Sequence, residues 1–528
     1  MNLGYLTWLD VTLVVAYFIG IVTLGLWSGG RARSVAQMFI AERRMPWWAV
    51  FISFTAAAFS ALSFIGKPGQ AFSENVRFFF TTFGNIAACL VVGFLFVRAY
   101  HKAGVISIYQ WLGQRFGVPT QRMGAVYFLI TRLLASAVRV TAIAIALKVI
   151  LGIPIEVSVF LVVGLTCLYV VFGGLKSVIW TDVVQFCILV TGIAVTLGIV
   201  IHSVPGGISN ILRIANDTVG PDGKVLNKLY LHGFWTWVTW KDILVMIAFA
   251  FVTSTAAYGC DQDFMQRLLS TRSGEEATRS MVTSALVDLP MTGALIFIGV
   301  ALFAFAQTHP GILTEAIKHP DYVFPEFIAK VLPTGFRGVL VAALFAAAMG
   351  STSAAINALA SSAVVDFYRP LVAGRTEAHY VLMSRLGTIT ATVLLAGLAL
   401  VFTHVEGILW LGFKLVAFTY GGLLGVFLVG MLTRRGSSLG NLIALPTVTF
   451  ALIFWRGGDL FGKAWWWKDS WWQRATIQLH ADRIDWQLTI VFGVVMTFLI
   501  AVAFPAKKGE GDQAFGLSSS SVVPPPGR

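Results

Sequence analysis

An aspartate stands at the start of one long apolar segment of this chain. The hexapeptide Trp180–Gln185 contains Asp182, and the residues after it form an apolar run that extends to about Val204. A carboxylate inside a membrane span costs several kcal/mol unless it has a partner, so its presence indicates a functional site. The simplest partner is a small cation, which would need further oxygen ligands from other segments.

Positive charges also fall inside apolar segments of the sequence. Arg132 and Arg139 are seven residues apart, which places them on one face of a helix, and Lys67 and Lys414 lie in two other apolar runs. An arginine pairs with a carboxylate through two hydrogen bonds and stays ionised, which suits the capture of an anion. The alternative is that each cation pairs with an acidic residue of the spans or extends to the membrane interface. Those acidic residues are Asp182, Asp261, Asp263 and Asp288.

The composition indicates that these residues are held by membrane-spanning helices. Hydrophobic residues make up 57% of the 528 residues, and the mean hydropathy is +0.79, whereas soluble domains contain about 45–50% apolar residues. Apolar runs of about 20 residues, each long enough to cross about 30 Å of hydrocarbon, recur along the chain. A soluble enzyme is therefore excluded, and we expect an all-α polytopic membrane protein that changes no chemical bond.

We predict about thirteen transmembrane helices. The predicted spans are 8–28, 47–70, 76–100, 122–152, 154–173, 178–204, 240–265, 284–307, 335–366, 382–403, 405–432, 437–456 and 486–505. The basic residues between the spans fall mostly on one side, which the positive-inside rule makes cytoplasmic. This pattern explains the net charge of +13 without a nucleic-acid partner. It predicts an integral protein of the plasma (inner) membrane, with the N-terminus outside and the C-terminus in the cytoplasm. Because no GxxxxGK[ST] phosphate loop occurs, a nucleotide partner is not expected.

Four separated segments resemble those of one family of membrane transporters. Met38–Val50, Val171–Gln185, Asp261–Arg267 and Ala342–Tyr368 are similar to segments of the sodium:solute symporter family, which includes sodium/glucose, proline, pantothenate, iodide and sialic-acid transporters. The resemblance covers about residues 5–505, and it implies a five-plus-five inverted-repeat core like that of the leucine transporter. The implied division is a leading helix and cytoplasmic loop at 1–46, a first repeat at 47–204, an outer loop at 205–239, a second repeat at 240–432, two peripheral helices with an outer tryptophan-rich loop at 433–505, and a disordered cytoplasmic tail at 506–528.

A sodium site is also implied by the resemblance. Backbone carbonyls become available to a cation where a membrane helix is broken, and the small-residue segment 55–70, which ends in Gly66, Pro68 and Gly69, is a candidate for such a break. The implied ligands are the carbonyl oxygens of Ala56, Phe59 and Ala347 and the hydroxyl of Ser351. Gly350 stands where the family usually has a serine with a second hydroxyl. The alternative is ordinary packing of small residues between spans.

Asp182 has two interpretations under the resemblance. Some family members bind a second sodium ion with an aspartate at this place and with serines at the positions of Gly350, Ser353 and Ala354, of which only Ser353 is a serine here. Asp182 and Ser353 are therefore candidates for a second ion site. The alternative is that Asp182 caps its helix or lines the exit path of the sodium ion.

The passenger site is expected beside the broken helices. The resemblance places the substrate-binding positions on Ser60, Ser63, Thr82, Asn85, Asp261, Asp288 and Phe413. These residues differ from those of the sugar-transporting branch at nearly every position, and Ala135 stands where the sialic-acid branch has a carboxylate-binding arginine. Together with the cations Arg132, Arg139 and Lys414, the set favours an anionic or zwitterionic solute over a sugar or polyol.

These observations predict a sodium-coupled secondary active symporter that imports a small organic solute by alternating access. The expected partners are Na⁺ as the co-transported ion, the solute and the lipid bilayer, without an organic cofactor. The glycine at position 350 keeps one alternative open, a proton-coupled or uncoupled facilitator with a degraded sodium site. A solute sensor is an alternative from another class.

Overall fold

A computed structural model describes residues 5–30, 32–59, 61–219, 225–229, 236–314, 322–404, 408–456 and 486–506 of the chain. The tryptophan-rich loop and most of the C-terminal tail lie outside these ranges, as does the candidate Ser60. Almost all of the described residues are helical, as expected for an all-α membrane protein.

The helices are numbered in chain order within the described ranges. They are α1 (Trp8–Gly29), α2 (Val35–Ile40), α3 (Trp47–Ala58), α4 (Ala61–Ser73), α5 (Thr81–Val91), α6 (Arg98–Ala103), α7 (Ile108–Phe116), α8 (Val118–Leu151), α9 (Ile155–Ser203), α10 (Gly207–Asp217), α11 (Trp237–Gly259), α12 (Gln262–Leu269), α13 (Gly274–Thr308), α14 (Val323–Lys330), α15 (Phe336–Ser362), α16 (Arg369–Leu371), α17 (Glu377–Val401), α18 (Ile408–Leu432), α19 (Ser438–Arg456) and α20 (Thr489–Ala503). Short π-helical segments continue α5 at Val92–Val97 and α15 at Ala363–Tyr368.

Ten helical stretches of the described chain are long and apolar enough to cross a bilayer, and the bent α3–α4 pair would make eleven. The predicted spans 154–173 and 178–204 both fall in α9, which has 49 residues. At 1.5 Å per residue that length is about 74 Å, more than twice the thickness of about 30 Å of the hydrocarbon core. The direction changes at Gly174, where φ is +56° and a Cβ would collide with the backbone of Met38.

Two pairs of consecutive helices are separated by short breaks, and the first break lies within the predicted segment 55–70. α3 ends at Ala58 and α4 begins at Ala61, and the two helices are bent by 49°. The break therefore precedes Pro68, which lies inside α4. The second break separates α11, which ends at Gly259, from α12, where Asp261 is the N-cap and accepts a hydrogen bond from the backbone N–H of Asp263 at 2.9 Å.

Among the helices long enough to span a membrane in the described chain, α15 is the most buried. It packs against α1, α3, α8 and α9. Small residues allow this close approach. The N-terminus of α15 is capped from α1, because Oδ1 of Asp10 accepts hydrogen bonds from the backbone N–H groups of Gly335 and Gly338, both at 2.8 Å. The leading helix is therefore joined directly to the helix that carries Ala347 and Ser351.

Candidate functional site

A cavity of about 180 Å³ lies beside both helix breaks. Its walls are formed by residues of α3, α4, α5, α8, α11, α12, α13 and α18, together with the turn before α5. Six of the predicted substrate-binding residues line it, namely Ser63, Thr82, Asn85, Arg139, Asp288 and Phe413. The structure thus brings together five predicted polar side chains from four separate helices, and the ring of Phe413 from a fifth, around one enclosed space.

Three other predicted residues do not line this cavity. Arg132 and Asp261 are buried beside it and form an ion pair with each other, with Nη1 of the arginine 3.0 Å from Oδ2 of the aspartate. Lys414 follows the lining residue Phe413 without lining the cavity itself.

Arg139 presents a positive charge in the cavity wall. Its Nη1 is buried and has no hydrogen-bond partner among the described residues. Ala135, which also lines the cavity, precedes it by one helical turn, so both residues lie on the same face of α8. Because a buried guanidinium is costly without an acceptor, Arg139 is the strongest anion-binding candidate in the site.

Asp288 contacts three other polar residues of the cavity wall. Its Oδ2 accepts a hydrogen bond from Nδ2 of Asn85 at 2.8 Å, and its Oδ1 accepts one from the hydroxyl of Thr292 at 2.9 Å. Nζ of Lys67 lies 3.9 Å from Oδ1 of Asp288 and donates a hydrogen bond to Thr292 at 2.7 Å. Lys67 therefore pairs with an acidic residue of the spans, which was the alternative to anion binding in the sequence analysis. The positive charge of Lys67 and the negative charge of Asp288 make this cluster neutral overall.

A buried ion network runs from beside the cavity to Asp182. Arg132 pairs with both Asp261 and Asp263, and Nη1 of Arg267 lies 2.6 Å from Oδ1 of Asp263. Nη2 of the same arginine lies 3.1 Å from Oδ2 of Asp182. Neighbouring hydroxyls complete it, since Tyr420 donates to Asp261 at 2.6 Å and Ser53 donates to Asp182 at 2.5 Å. Three carboxylates and two guanidinium groups thus share one buried region.

The candidate sodium ligands lie on α3 and α15, which pack against each other. Phe59 follows the last residue of α3 with φ −86° and ψ +66°, outside the helical region. The hydroxyl of Ser351 donates to the carbonyl oxygens of Ala347 and Ala348, both at 3.1 Å. A donating hydroxyl keeps its lone pairs free for a cation, so this geometry is compatible with the predicted ligand role.

Gly350 faces two buried oxygens that lack partners. A Cβ at this glycine would lie 3.1 Å from Oε1 of Gln185 and 3.3 Å from Oδ1 of Asp182, and neither oxygen has a hydrogen-bond partner among the described residues. The hydroxyl of Ser353 donates instead to the carbonyl of Gly350 at 3.0 Å. The missing side chain therefore leaves a small space beside two acceptors, which a water or a small cation would suit.

Sequence reasoning missed several residues of this region. Ser53, Gln185 and Arg267 were not predicted as site residues, although the last two fall within the motifs that carry the resemblance. The spacing of four between Asp263 and Arg267 is a helical ion-pair signal that could have indicated the network. Tyr17 of α1 carries no such signal, yet its hydroxyl accepts a hydrogen bond from Nε2 of Gln185 at 3.3 Å.

Comparison with known proteins agrees with the geometry. The model of the sodium:solute symporter family matches residues 38–447. The sodium/sialic acid symporter NanT of Aliivibrio fischeri is 26% identical over 453 residues, which cover 85% of this chain and 87% of that protein. The human sodium-coupled monocarboxylate transporter 1 is 28% identical over 456 residues, which cover 84% of this chain and 72% of that protein.

Solved structures show the same fold. A Na⁺-coupled sialic acid symporter in a substrate-bound outward-open state superposes with a TM-score of 0.82 at 22% identity, and the match covers 95% of this chain and 99% of that one. A nucleobase-cation-symport-1 family transporter superposes with a TM-score of 0.52 at 16% identity, covering 90% and 98% of the two chains.

Proposed function

The chain belongs to the sodium:solute symporter family, and on that premise we propose that it is a sodium-coupled symporter that imports a small organic anion or zwitterion by alternating access. The observation that carries the proposal is the cavity between two broken helices, in whose wall Nη1 of Arg139 has no hydrogen-bond partner among the described residues. Two relatives are named for substrates that are carboxylic acids, sialic acid and monocarboxylates. The guanidinium of Arg139 in the cavity wall would give the carboxylate of such a substrate a binding partner.

The position of this cation supports the proposal. The resemblance to the sialic-acid branch implies a carboxylate-binding arginine at the position of Ala135, and Arg139 stands four residues further along α8. Four residues correspond to about 6 Å along a helix and return to the same face. The anion-binding charge is therefore displaced by one turn in this chain, and we expect the substrate carboxylate to be displaced with it.

For the sodium ion we propose the carbonyls of Ala56, Phe59 and Ala347 with the hydroxyl of Ser351. Sodium prefers such oxygen ligands, and the broken end of α3 frees carbonyls from helical hydrogen bonding. Asp182 with Ser353 is proposed as a second ion site or as part of the exit path. The unpartnered Oδ1 of Asp182 beside Gly350 supports a transient cation there.

We further propose a membrane topology of about thirteen helices around a five-plus-five inverted repeat, with the N-terminus outside. Support comes from the 49-residue α9, which is long enough for two spans and bends at Gly174. The bent α3–α4 pair and the 15-residue α20 account for the remaining predicted spans. The two repeats would rock around the cavity and expose it to each side in turn.

The number of Na⁺ ions transported with each solute determines whether uptake depends on the membrane potential. Moving one elementary charge through 100 mV is worth about 2.3 kcal/mol. One Na⁺ with one monoanion carries no net charge, so its uptake would not respond to the membrane potential. Two Na⁺ per monoanion would move one positive charge, and uptake would then increase with an inside-negative potential. Uptake into vesicles at imposed potentials distinguishes the two cases.

The test of coupling is thermal stabilisation of the purified full-length protein by organic solutes, in NaCl and in KCl of equal ionic strength. We expect at least one solute to stabilise the protein only in NaCl, and Ser351→Ala to abolish that effect because a sodium ligand is lost. The matched control is Ser384→Ala, since the hydroxyl of Ser384 makes the same kind of intrahelical bond at 2.8 Å on a different helix, α17. Stabilisation that is equal in both salts would instead support the facilitator or a proton-coupled carrier.

A further inference from the structure

The chemistry of the cavity wall narrows the class of the solute. We propose that the solute is a monocarboxylate with a mostly apolar body, whose carboxylate is held by Arg139. The inference rests on the proposed function, because it assumes that the cavity is the passenger site. It goes beyond that function by separating monoanions from zwitterions, dianions and polyhydroxylated acids.

The first argument is the charge of the wall. Among the described lining residues three are charged, Lys67, Arg139 and Asp288. Lys67 and Asp288 form a pair at 3.9 Å, so one positive charge is left on Arg139. A monoanion neutralises the cavity. A neutral solute would leave the guanidinium without a counter-charge, and a dianion would leave a negative charge in an enclosed space.

The second argument is against a zwitterion. An ammonium group binds best beside a carboxylate, and Asp288 is the one carboxylate that lines the described cavity. Each of its oxygens already accepts one hydrogen bond, Oδ2 from Asn85 and Oδ1 from Thr292, and the Lys67 ammonium lies 3.9 Å from Oδ1. An ammonium at this place would also lie close to the Lys67 ammonium, and like charges repel. The negative charge that would hold the ammonium of an amino acid is therefore already balanced within the protein.

The third argument concerns the body of the solute. One part of the wall is formed by the rings of Phe78, Phe249 and Phe413, with centroids 5.6 Å apart for the last two and 6.2 Å apart for the first and last. Aromatic walls stabilise apolar groups and offer no hydrogen bonds to hydroxyls. A sugar acid would lose the hydration of several hydroxyl groups beside these rings, and the polar atoms of the rest of the wall could replace only part of it.

A few polar atoms remain available for a limited second contact. The hydroxyls of Thr82 and Thr253 and Oδ1 of Asn85 are buried without hydrogen-bond partners among the described residues, and all three residues line the cavity. Such a set can satisfy one or two oxygen-bearing groups on the solute. Simple carboxylates and short 2-hydroxy or 2-oxo carboxylates therefore both fit the class.

A structural role for Arg139 is the rival explanation. The neighbouring ion network contains three carboxylates and two guanidinium groups, so Arg139 could serve only to balance its charge from a distance. In that case the arginine would affect stability without affecting which solute binds. The two explanations are separated by measuring ligand selectivity together with ligand-free stability.

The experiment uses the full-length protein in detergent and measures apparent Kd by thermal shift in NaCl. The probes are butyrate and benzoate, their neutral amides butyramide and benzamide, the zwitterion 2-aminobutyrate, the dianion succinate and the polyhydroxylated gluconate. We expect butyrate or benzoate to bind at least tenfold more tightly than the amide, zwitterion, dianion and sugar acid. Sodium-dependent binding of gluconate or 2-aminobutyrate in preference to the simple acids would overturn the inference while leaving coupled symport intact.

Variants of Arg139 complete the test. Arg139→Gln is expected to remove the preference for acid over amide, and Arg139→Lys to retain it at weaker affinity. The matched control is Arg385→Gln, because Arg385 lies half-buried in the apolar helix α17, over the ring of Phe172, and does not line the cavity. If Arg139→Gln keeps the acid preference, the arginine is structural and the inference fails. If none of these probes binds in a sodium-dependent way but another solute of the coupling test does, the inference fails alone. If no solute of either set does, the proposed function fails with it.

Discussion

Arg132 and Arg139 lie on one helix, two turns apart, but in different environments. Arg132 is ion-paired with Asp261 and Asp263, which the break between α11 and α12 brings next to α8. Arg139 faces the cavity, and its Nη1 has no partner among the described residues. The two arginines have the same sequence signal, but only one of them meets the carboxylates that a distant helix break brings to α8. The comparison teaches that the environment of a buried charge depends on contacts between distant segments. The charge of Arg132 is balanced within the protein, whereas the charge of Arg139 faces the cavity where we propose that the solute binds.

The largest effect on stability is expected when the ion-paired arginine, Arg132, is replaced. Arg132→Ala leaves the buried Asp261 and Asp263 without a shared cation, and removing one member of a buried ion pair costs about 3–5 kcal/mol. We expect a severe loss of monodisperse protein on size exclusion, or a strongly lowered melting temperature. Arg139→Gln should change the ligand-free melting temperature far less. Equal destabilisation by the two changes would contradict the comparison.

A change at Asp288 tests the charge balance on the ligand side. Asp288→Asn removes the partner of Lys67. It also raises the formal charge of the described wall from +1 to +2, because the wall keeps the positive charges of Lys67 and Arg139 and loses its one negative charge. We expect the binding ratio of succinate to butyrate, measured by thermal shift, to rise by roughly tenfold, a factor that corresponds to about 1.4 kcal/mol. Glu275→Gln is the control, since this exposed residue of α13 lies outside the cavity. An unchanged ratio would show that the charge of the wall does not select the anion.

The smallest expected effect concerns Gly350. Gly350→Ser places an oxygen beside Asp182 and Gln185, where a Cβ has contacts of 3.3 and 3.1 Å, and it should increase the affinity for Na⁺ several-fold. Gly350→Ala fills the same space without an oxygen and should weaken the affinity or leave it unchanged. Sodium titrations followed by intrinsic tryptophan fluorescence measure both variants. A serine variant that behaves like the alanine variant would indicate that the native site already has its full ligand set.

Local sequence patterns predicted much of the fold. Apolar runs of about 20 residues predicted the positions of the long helices, although α11 ends at Gly259, six residues before the end of the predicted span 240–265. The break after α3 was predicted within the segment 55–70, but the glycines and proline near its end do not form it. The helix continues through Pro68, because packing in a membrane protein can tolerate the lost hydrogen bond. The break instead falls between Ala58 and Ala61, where the sequence contains no glycine or proline.

The candidate site could be predicted only in part. Residue types and the family resemblance identified six residues that line the cavity, including Arg139 and Asp288. They could not decide which arginine is paired, since the partners of Arg132 are more than a hundred residues away in the chain. Tyr17 was missed for the same reason, because its contact with Gln185 depends on how α1 packs and not on any local pattern.

The cap on α15 has a consequence for the order in which the protein is made. Gly335 follows Asp10 by 325 residues, which at about 5–20 residues per second takes roughly 16–65 s to synthesise. During this interval Oδ2 of Asp10 can already accept hydrogen bonds from the backbone N–H and hydroxyl of Thr7, at 3.0 and 2.7 Å. Oδ1 gains its two backbone donors only when α15 emerges. Until then α1 carries a half-satisfied carboxylate, to which the N-terminus of α15, a helix from the later half of the sequence, docks.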